Sequence, residues 1–266
     1  MTRDVNAMIR ATLSGEELQA LNRRLEGHAP QDVLRDTFHR FFPDMVLACS
    51  FGAEDMVLWD MMYRINSRAS LVYLDTDFLF PETYDVRDRL MARYAVSPEQ
   101  VIRVRPALTP AQQAEQYGDR LWSRQPDQCC RIRKVDPLTN ILKRYAAWVT
   151  GIRRDQAPSR ATAGLVEWDA TFGLVKVNPL AAWTNDDVWA YITQHDVPYN
   201  ALHDQHYPSI GCTHCTAPVR PGEHPRAGRW QHVDKTECGL HTPAPGFDQG
   251  LEGQGIPADG LNTGHR

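Results

Sequence analysis

The sequence predicts an α/β fold with a mainly parallel central sheet flanked by helices, and two observations carry that expectation. Short apolar runs of strand length recur at residues 45–49, 71–74, 101–104, 147–150 and 174–177. Stretches with helical spacing alternate with them, beginning near Ala53, Pro81, Thr109 and Thr184. Such alternation implies crossover connections, which make neighbouring strands parallel.

The chain opens on a helix. Ser14-Gly15-Glu16-Glu17 is a capping box, in which hydroxyl and carboxylate satisfy each other's backbone N–H groups, and Leu18, Leu21 and Leu25 follow at helical spacing. Val33, Leu34 and Phe38 repeat the pattern and predict a second helix. The strand at 45–49 runs through Ser50-Phe51-Gly52-Ala53-Glu54-Asp55 into a helix, gathering a hydroxyl, a glycine and free backbone N–H groups at a helix N-terminus. That arrangement suits an anion. The Gly-Lys-Ser/Thr ending of a Walker A loop is missing. The next strand ends on Leu74-Asp75-Thr76-Asp77, with Pro81 opening the following helix. In parallel sheets ligands bind beyond the C-terminal strand ends, so the segments after Cys49, Leu74 and Thr150 are where a site is expected. Residues 242–266 hold three Pro and six Gly without periodicity and read as a flexible tail. The expected organisation is one α/β domain over 1–241, with N-terminal helices in 1–40, a core over 41–215 and a C-terminal arm over 216–241.

Composition narrows the function. The 266 residues include 42% hydrophobic side chains and six cysteines, enough to bury a core without disulfide staples. Apolar runs are too short to span a bilayer and no signal-peptide core follows Arg3, so a cytoplasmic protein without a membrane partner is expected. In a reducing compartment the thiols read as metal ligands, redox groups or nucleophiles. The net charge of -4 conceals a local excess: between 120 and 160, ten Lys and Arg face three Asp, a window of +7 that leaves -11 elsewhere. One concentrated basic stretch in an acidic chain points to a local anionic ligand and away from nucleic acid.

Cys129-Cys130 is a vicinal pair and Cys212-Thr213-His214-Cys215 is a C-x2-C. Four thiolates suit a structural zinc ion or a cubane cluster, and a redox disulfide also remains open. A vicinal pair is awkward for zinc, which favours two spaced pairs. Arg131, Arg133 and Lys134 would offset the negative charge of a thiolate-bound cluster. Cys238 stands alone near the C-terminus, before Gly239, and Cys49 is a sixth thiol.

Several long motifs together resemble the assimilatory sulfonucleotide reductases: Cys129-Cys130-Arg131-Ile132-Arg133-Lys134-Val135, Thr150-Gly151-Ile152-Arg153-Arg154-Asp155-Gln156 with Ser159-Arg160, Val177-Asn178-Pro179-Leu180 with Trp183-Thr184, Tyr207-Pro208-Ser209-Ile210-Gly211-Cys212, and Lys235-Thr236-Glu237-Cys238-Gly239-Leu240-His241. The resemblance runs from about residue 40 to 241. Asp77 stands where these families usually have Gly, and His214 where a proline is common. The paired cysteines with the Ser50 loop resemble the iron-sulfur branch that uses adenylyl sulfate (APS). The resemblance implies an adenine nucleotide α-hydrolase-like (Rossmann-like) fold and a 4Fe-4S cluster on Cys129, Cys130, Cys212 and Cys215. It implies Cys238 as nucleophile toward the sulfuryl group, thioredoxin or glutaredoxin as electron donor, and a homo-oligomer. Ser50, Gly52 and Leu74 would hold adenosine and ribose, with Asp55 as loop support. Lys134, Arg226 and Arg229 would take the AMP phosphate, while Arg160 and the loop from Gly151 would line the phosphosulfate pocket, with His241 completing the substrate site. Glu237 opposes thiolate formation at Cys238, so nearby cations or Lys235 must compensate. Competing readings are a reductase of 3'-phosphorylated APS (PAPS) or of both nucleotides, an ATP pyrophosphatase, and a zinc-stabilised nucleotide-binding module.

Overall fold

A computed structural model of the chain describes residues 13–231, 233, 235 and 237–241. The expected tail at 242–266 lies outside the described residues. Helix α1 (Gly15–Leu25) begins as its capping box requires, with Glu17 N–H donating to Ser14 Oγ at 3.2 Å and Ser14 N–H to Glu17 Oε2 at 2.7 Å. Helix α2 (Pro30–Phe41) buries Val33, Leu34 and Phe38, the residues whose spacing predicted it. Strand β1 (Met45–Ala48), helix α3 (Ala53–Ile65), β2 (Leu71–Leu74), α4 (Pro81–Tyr94) and β3 (Val101–Val104) then alternate as expected. Helix α5 (Pro110–Tyr117) is capped by Thr109. Two short helices follow, α6 (Leu121–Arg124) and α7 (Pro126–Cys130), and a wide π turn at Arg131–Val135 joins α7 to α8 (Asp136–Leu142). Strands β4 (Ala147–Val149), β5 (Val166–Asp169) and β6 (Leu174–Val177) complete the sheet, and α9 (Asn185–His195) starts from a Thr184 capping box.

The sheet order is β3-β2-β1-β4-β6-β5, parallel throughout except for β5, which runs antiparallel to β6 at the edge. From β1 the chain moves outward through β2 to β3, then returns to place β4 on the other side of β1. The topology therefore reverses between β1 and β4, where a crevice opens beyond the strand ends.

Period-2 alternation sends side chains to two faces. Met45, Leu47, Leu71, Tyr73, Ala147, Val149, Val175 and Val177 join the main core with α1, α2, α3, α4 and α9. Val46, Val72 and Trp148 face the other way, where Leu138 and Leu142 of α8, Phe172 and the partly buried Leu240 cover them. The C-terminal segment thus forms part of the second face.

Candidate active site

Three loops at the C-terminal strand ends build the site. After β1, Asp55 in the first turn of α3 accepts from Ser50 N–H at 2.6 Å and from Ser50 Oγ at 2.7 Å, folding the loop back on the helix start. Phe51 takes a left-handed conformation (φ 61°) and buries its ring edge-on to Tyr73. Burial lifts the Asp55 carboxyl to about 6, with Glu54 adding to the rise and the Ser50 hydrogen bonds opposing it. After β2, Asp75 is buried, accepts from Tyr84 Oη at 2.7 Å and pairs with Arg103. Burial alone would raise its carboxyl, but Tyr84, the Asp77 N–H and Arg103 together hold it below its ordinary value. Asp77 sits at φ 59°, the left-handed region that favours glycine, and Asp is among the residues that tolerate it. Its N–H donates to Asp75 Oδ1 at 3.1 Å and its carboxylate meets Arg105 at 2.6 Å and the buried Arg133 at 3.2 Å. The side chain that glycine would lack is thus a counter-ion.

After β4, the Thr150 hydroxyl donates to Asn178 Oδ1 at 2.5 Å. Gly151 presses on the start of α3: a Cβ there would lie 2.6 Å from Asp55 Oδ1 and 2.8 Å from Glu54 Cβ. Glu54 Oε1 accepts from Arg153 at 3.1 Å and from Gln156 at 2.9 Å, and Gln156 Oε1 accepts from Arg160 at 2.6 Å. One connected network thus ties the loops after β1 and β4 together and orients the Arg160 guanidinium.

These loops surround a cavity of about 580 Å³. Ser50, Gly52, Leu74, Lys134, Gly151, Arg160, Arg226, Arg229, Cys238 and His241 all line it, so every residue assigned by sequence to nucleotide or catalysis reaches one space. His241 stacks on Trp148 with ring centroids 5.8 Å apart. Burial, and after it the nearby Lys176, Arg160 and Arg226, keep its imidazole far below the usual histidine range. Arg229 is braced by the Cys215 carbonyl and Ser209 Oγ and lies over the Trp230 ring at 4.4 Å.

The four remaining expected ligands stand around a smaller adjoining cavity. Cys129 and Cys130 end α7, while Cys212 and Cys215 lie on a loop anchored by Thr213 N–H to the Phe78 carbonyl at 2.8 Å. Arg133 and Lys134 lie four positions after Cys129 and Cys130 respectively, within the π turn, and line the same cavity. Thr76 Oγ1 lies 3.3 Å from Cys212 Sγ. Burial pushes the Cys129 thiol up to about 11 and the Cys130 thiol to about 12, with neighbouring thiols adding to the rise and Arg133 and Lys134 respectively opposing it. Burial of Lys134 would favour its neutral form, but Cys212 and Cys238 outweigh this and hold it protonated. Arg133 Nε and Nη2 and Trp230 Nε1 are buried donors without a protein acceptor, on residues that line this cavity. Among the described residues no group of three or more His, Cys, Asp or Glu stands close enough together to hold a metal ion, while the four thiols line one cavity. A polynuclear anionic group with several acceptor atoms fits that donor set. His214 stacks on Trp122 at 4.5 Å and meets Phe78 edge-on, closing the outer side.

Lys235 is not the free compensating cation that sequence suggested. It pairs with Asp127 and lies 5.6 Å from the Trp230 ring centroid. Glu237 instead meets Arg160 and Arg226. Trp148, Trp230 and the Glu54 network also line or brace the cavity and went unassigned, because isolated aromatic and acidic residues carry no spacing signal.

A family model described as the phosphoadenosine phosphosulfate reductase domain matches residues 44–218. An adenosine 5'-phosphosulfate reductase from Shouchella clausii is 48% identical over 88% of this chain and 96% of its own length. The chain belongs to the phosphoadenosine phosphosulfate reductase domain family. One from Staphylococcus haemolyticus is 51% identical over 79% of this chain and 86% of its own. A phosphoadenosine 5'-phosphosulfate reductase from Gloeobacter violaceus is 48% identical over 84% and 93%. Among solved structures, a Candida auris phosphoadenylyl-sulfate reductase in a phosphate complex superposes with a TM-score of 0.68 at 33% identity, covering 77% of this chain and 98% of that one. A Candida glabrata FMN adenylyltransferase shares the fold alone, with a TM-score of 0.52 at 14% identity over 91% of this chain and 82% of its own. The family and these neighbours agree with the adenine nucleotide α-hydrolase-like fold that the motifs implied.

Proposed function

We propose that this chain reduces adenylyl sulfate to sulfite and AMP, with Cys238 as nucleophile and a thioredoxin- or glutaredoxin-type dithiol as reductant. The observation that carries the reading is one cavity that presents the Cys238 thiol together with Lys134, Arg160, Arg226 and Arg229. The relatives named for adenosine 5'-phosphosulfate support APS as substrate.

Ser50, Gly52 and Leu74 hold adenosine and ribose at the switch point, and the cations hold the phosphosulfate. The Cys238 thiolate attacks the sulfuryl sulfur, a Cys S–S bond forms, and the sulfur–oxygen bond to the phosphate breaks. AMP leaves, its growing negative charge met by Lys134, Arg226 and Arg229. A donor thiolate then attacks Cys238 Sγ and expels sulfite, and the second donor thiol resolves the mixed disulfide. The donor dithiol loses the two electrons that sulfur gains.

Cys129, Cys130, Cys212 and Cys215 would hold a 4Fe-4S cluster, a reading supported by the one cavity they share and by the unmatched donors of Arg133 and Trp230. When bound, it organises the cation set and adds negative charge beside Lys134, while thiols carry the electrons. A second reading, use of PAPS, is favoured by the Gloeobacter violaceus relative. Sulfite release measured with each nucleotide and a supplied dithiol protein tests both. Faster turnover of APS is expected, and turnover of PAPS alone would overturn the assignment. Iron and acid-labile sulfide in the purified protein test the cluster, and zinc in their place would refute it.

A further inference from the structure

Two of the cations assigned to the phosphosulfate, Arg160 and Arg226, already have an anion. Glu237, immediately before Cys238, is buried at 8% exposure and places both carboxylate oxygens on Arg160, Oε1 at 3.1 Å from Nε and Oε2 at 2.9 Å from Nη2. Oε2 also meets Arg226 Nη2 at 3.1 Å. The same planar fork that grips a carboxylate grips a phosphate or sulfate oxygen pair, so the two anions compete for one set of donors. Beyond Cys238, Leu240 packs on the second face and His241 stacks on Trp148. Cys238 is therefore strung between an ionic anchor and an aromatic one.

We infer that Glu237 is a resident counter-anion of the phosphosulfate site and a positioning residue for Cys238. Without nucleotide its carboxylate occupies Arg160 and Arg226 and holds the arm down; the nucleotide's phosphate takes those cations, displaces Glu237 and frees the arm on that side. In the nucleotide-free site two guanidiniums absorb the charge of this carboxylate beside the Cys238 thiol. The exchange also makes release of the arm a consequence of substrate binding. The inference rests on the nucleotide-site reading above.

The test compares AMP and adenosine binding to full-length wild type, Glu237→Gln and Arg160→Ala by calorimetry. Glu237→Gln removes the competing charge with little change of shape, so AMP should bind about tenfold tighter while adenosine binding stays unchanged. Wild type binding AMP more tightly than adenosine, with the preference reduced in Arg160→Ala, upholds the site reading. If that holds and Glu237→Gln binds AMP no tighter than wild type, the counter-anion role is overturned. If wild type shows no preference for AMP, the site reading itself fails and the inference with it. A second readout needs no variant: AMP, and not adenosine, should speed tryptic cleavage after Lys235 in wild type. Unchanged or slower cleavage would overturn displacement of the arm.

Discussion

Gly151→Ala probes the contact on which the nucleotide pocket depends. The added Cβ would lie 2.6 Å from Asp55 Oδ1 and 2.8 Å from Glu54 Cβ, closer than non-bonded atoms tolerate. Neither neighbour can yield cheaply, because Glu54 Cβ is fixed by the α3 backbone and the Asp55 carboxylate holds Ser50 at 2.6 and 2.7 Å. The methyl must wedge the β4 loop away from the helix start. Overpacking of this kind costs about 1–3 kcal/mol, and for a chain of this size each kcal/mol lowers Tm by roughly 2–4 °C. Because the loops after β1 and β4 both line the cavity, AMP affinity should fall by about tenfold or more, the effect of misplacing a binding wall by a fraction of an ångström. Calorimetric titration with AMP and a thermal melt measure both quantities. Gly15→Ala is the control, since no atom lies within 4 Å of a Cβ at that helix position and it should bind AMP as wild type does. A Gly151→Ala protein with wild-type melting and affinity would refute the packing argument.

Three further outcomes follow from the same geometry. Cys238→Ser should abolish sulfite formation from APS while AMP still binds, because Lys134, Arg160, Arg226 and Arg229 all remain in the cavity; a sulfite assay with a supplied dithiol and a titration with AMP check the two halves. Asp77→Asn tolerates the left-handed backbone but leaves Arg133, 1% exposed, short of its counter-charge, so denaturant unfolding should show a loss of about 3 kcal/mol. Asp55, lifted by burial from 3.8 to about 6, is protonated in both states at low pH. As pH rises toward neutrality the unfolded chain ionises it first, so the folded state loses up to about 3 kcal/mol relative to low pH. Asp55→Asn removes that dependence, and its stability relative to wild type should improve between about pH 4 and pH 7; a constant difference would show that the group is not shifted.

Much of the architecture was written in local pattern. Strand-sized runs of four or five residues marked β1, β2, β3, β4 and β6 to within a residue, because buried parallel strands are rich in apolar side chains, and the Ser14 capping box marked the start of α1. Strand β5 went unseen because Val166-Glu167-Trp168-Asp169 is a half-exposed edge with no such run. The residues that line the cavity could be named in advance because long motifs singled them out and the strand-end rule told where they would gather. What pattern could not carry was pairing across the fold. That Glu237 would meet Arg160, 77 positions away, and that Lys235 would be spent on Asp127 depends on where the arm lands. Asp77 in the left-handed region is a similar case: its conformation is local, but its role follows from Arg133 and Arg105 arriving from elsewhere.

The central claim is a covalent intermediate on Cys238, and mass spectrometry of the intact and digested protein after incubation with APS in the absence of thiols tests it most directly. The expected result is one SO3 group added to the peptide that contains Cys238, lost on addition of a dithiol with release of sulfite. AMP release with no protein adduct, or an SO3 group on any other residue, would contradict it.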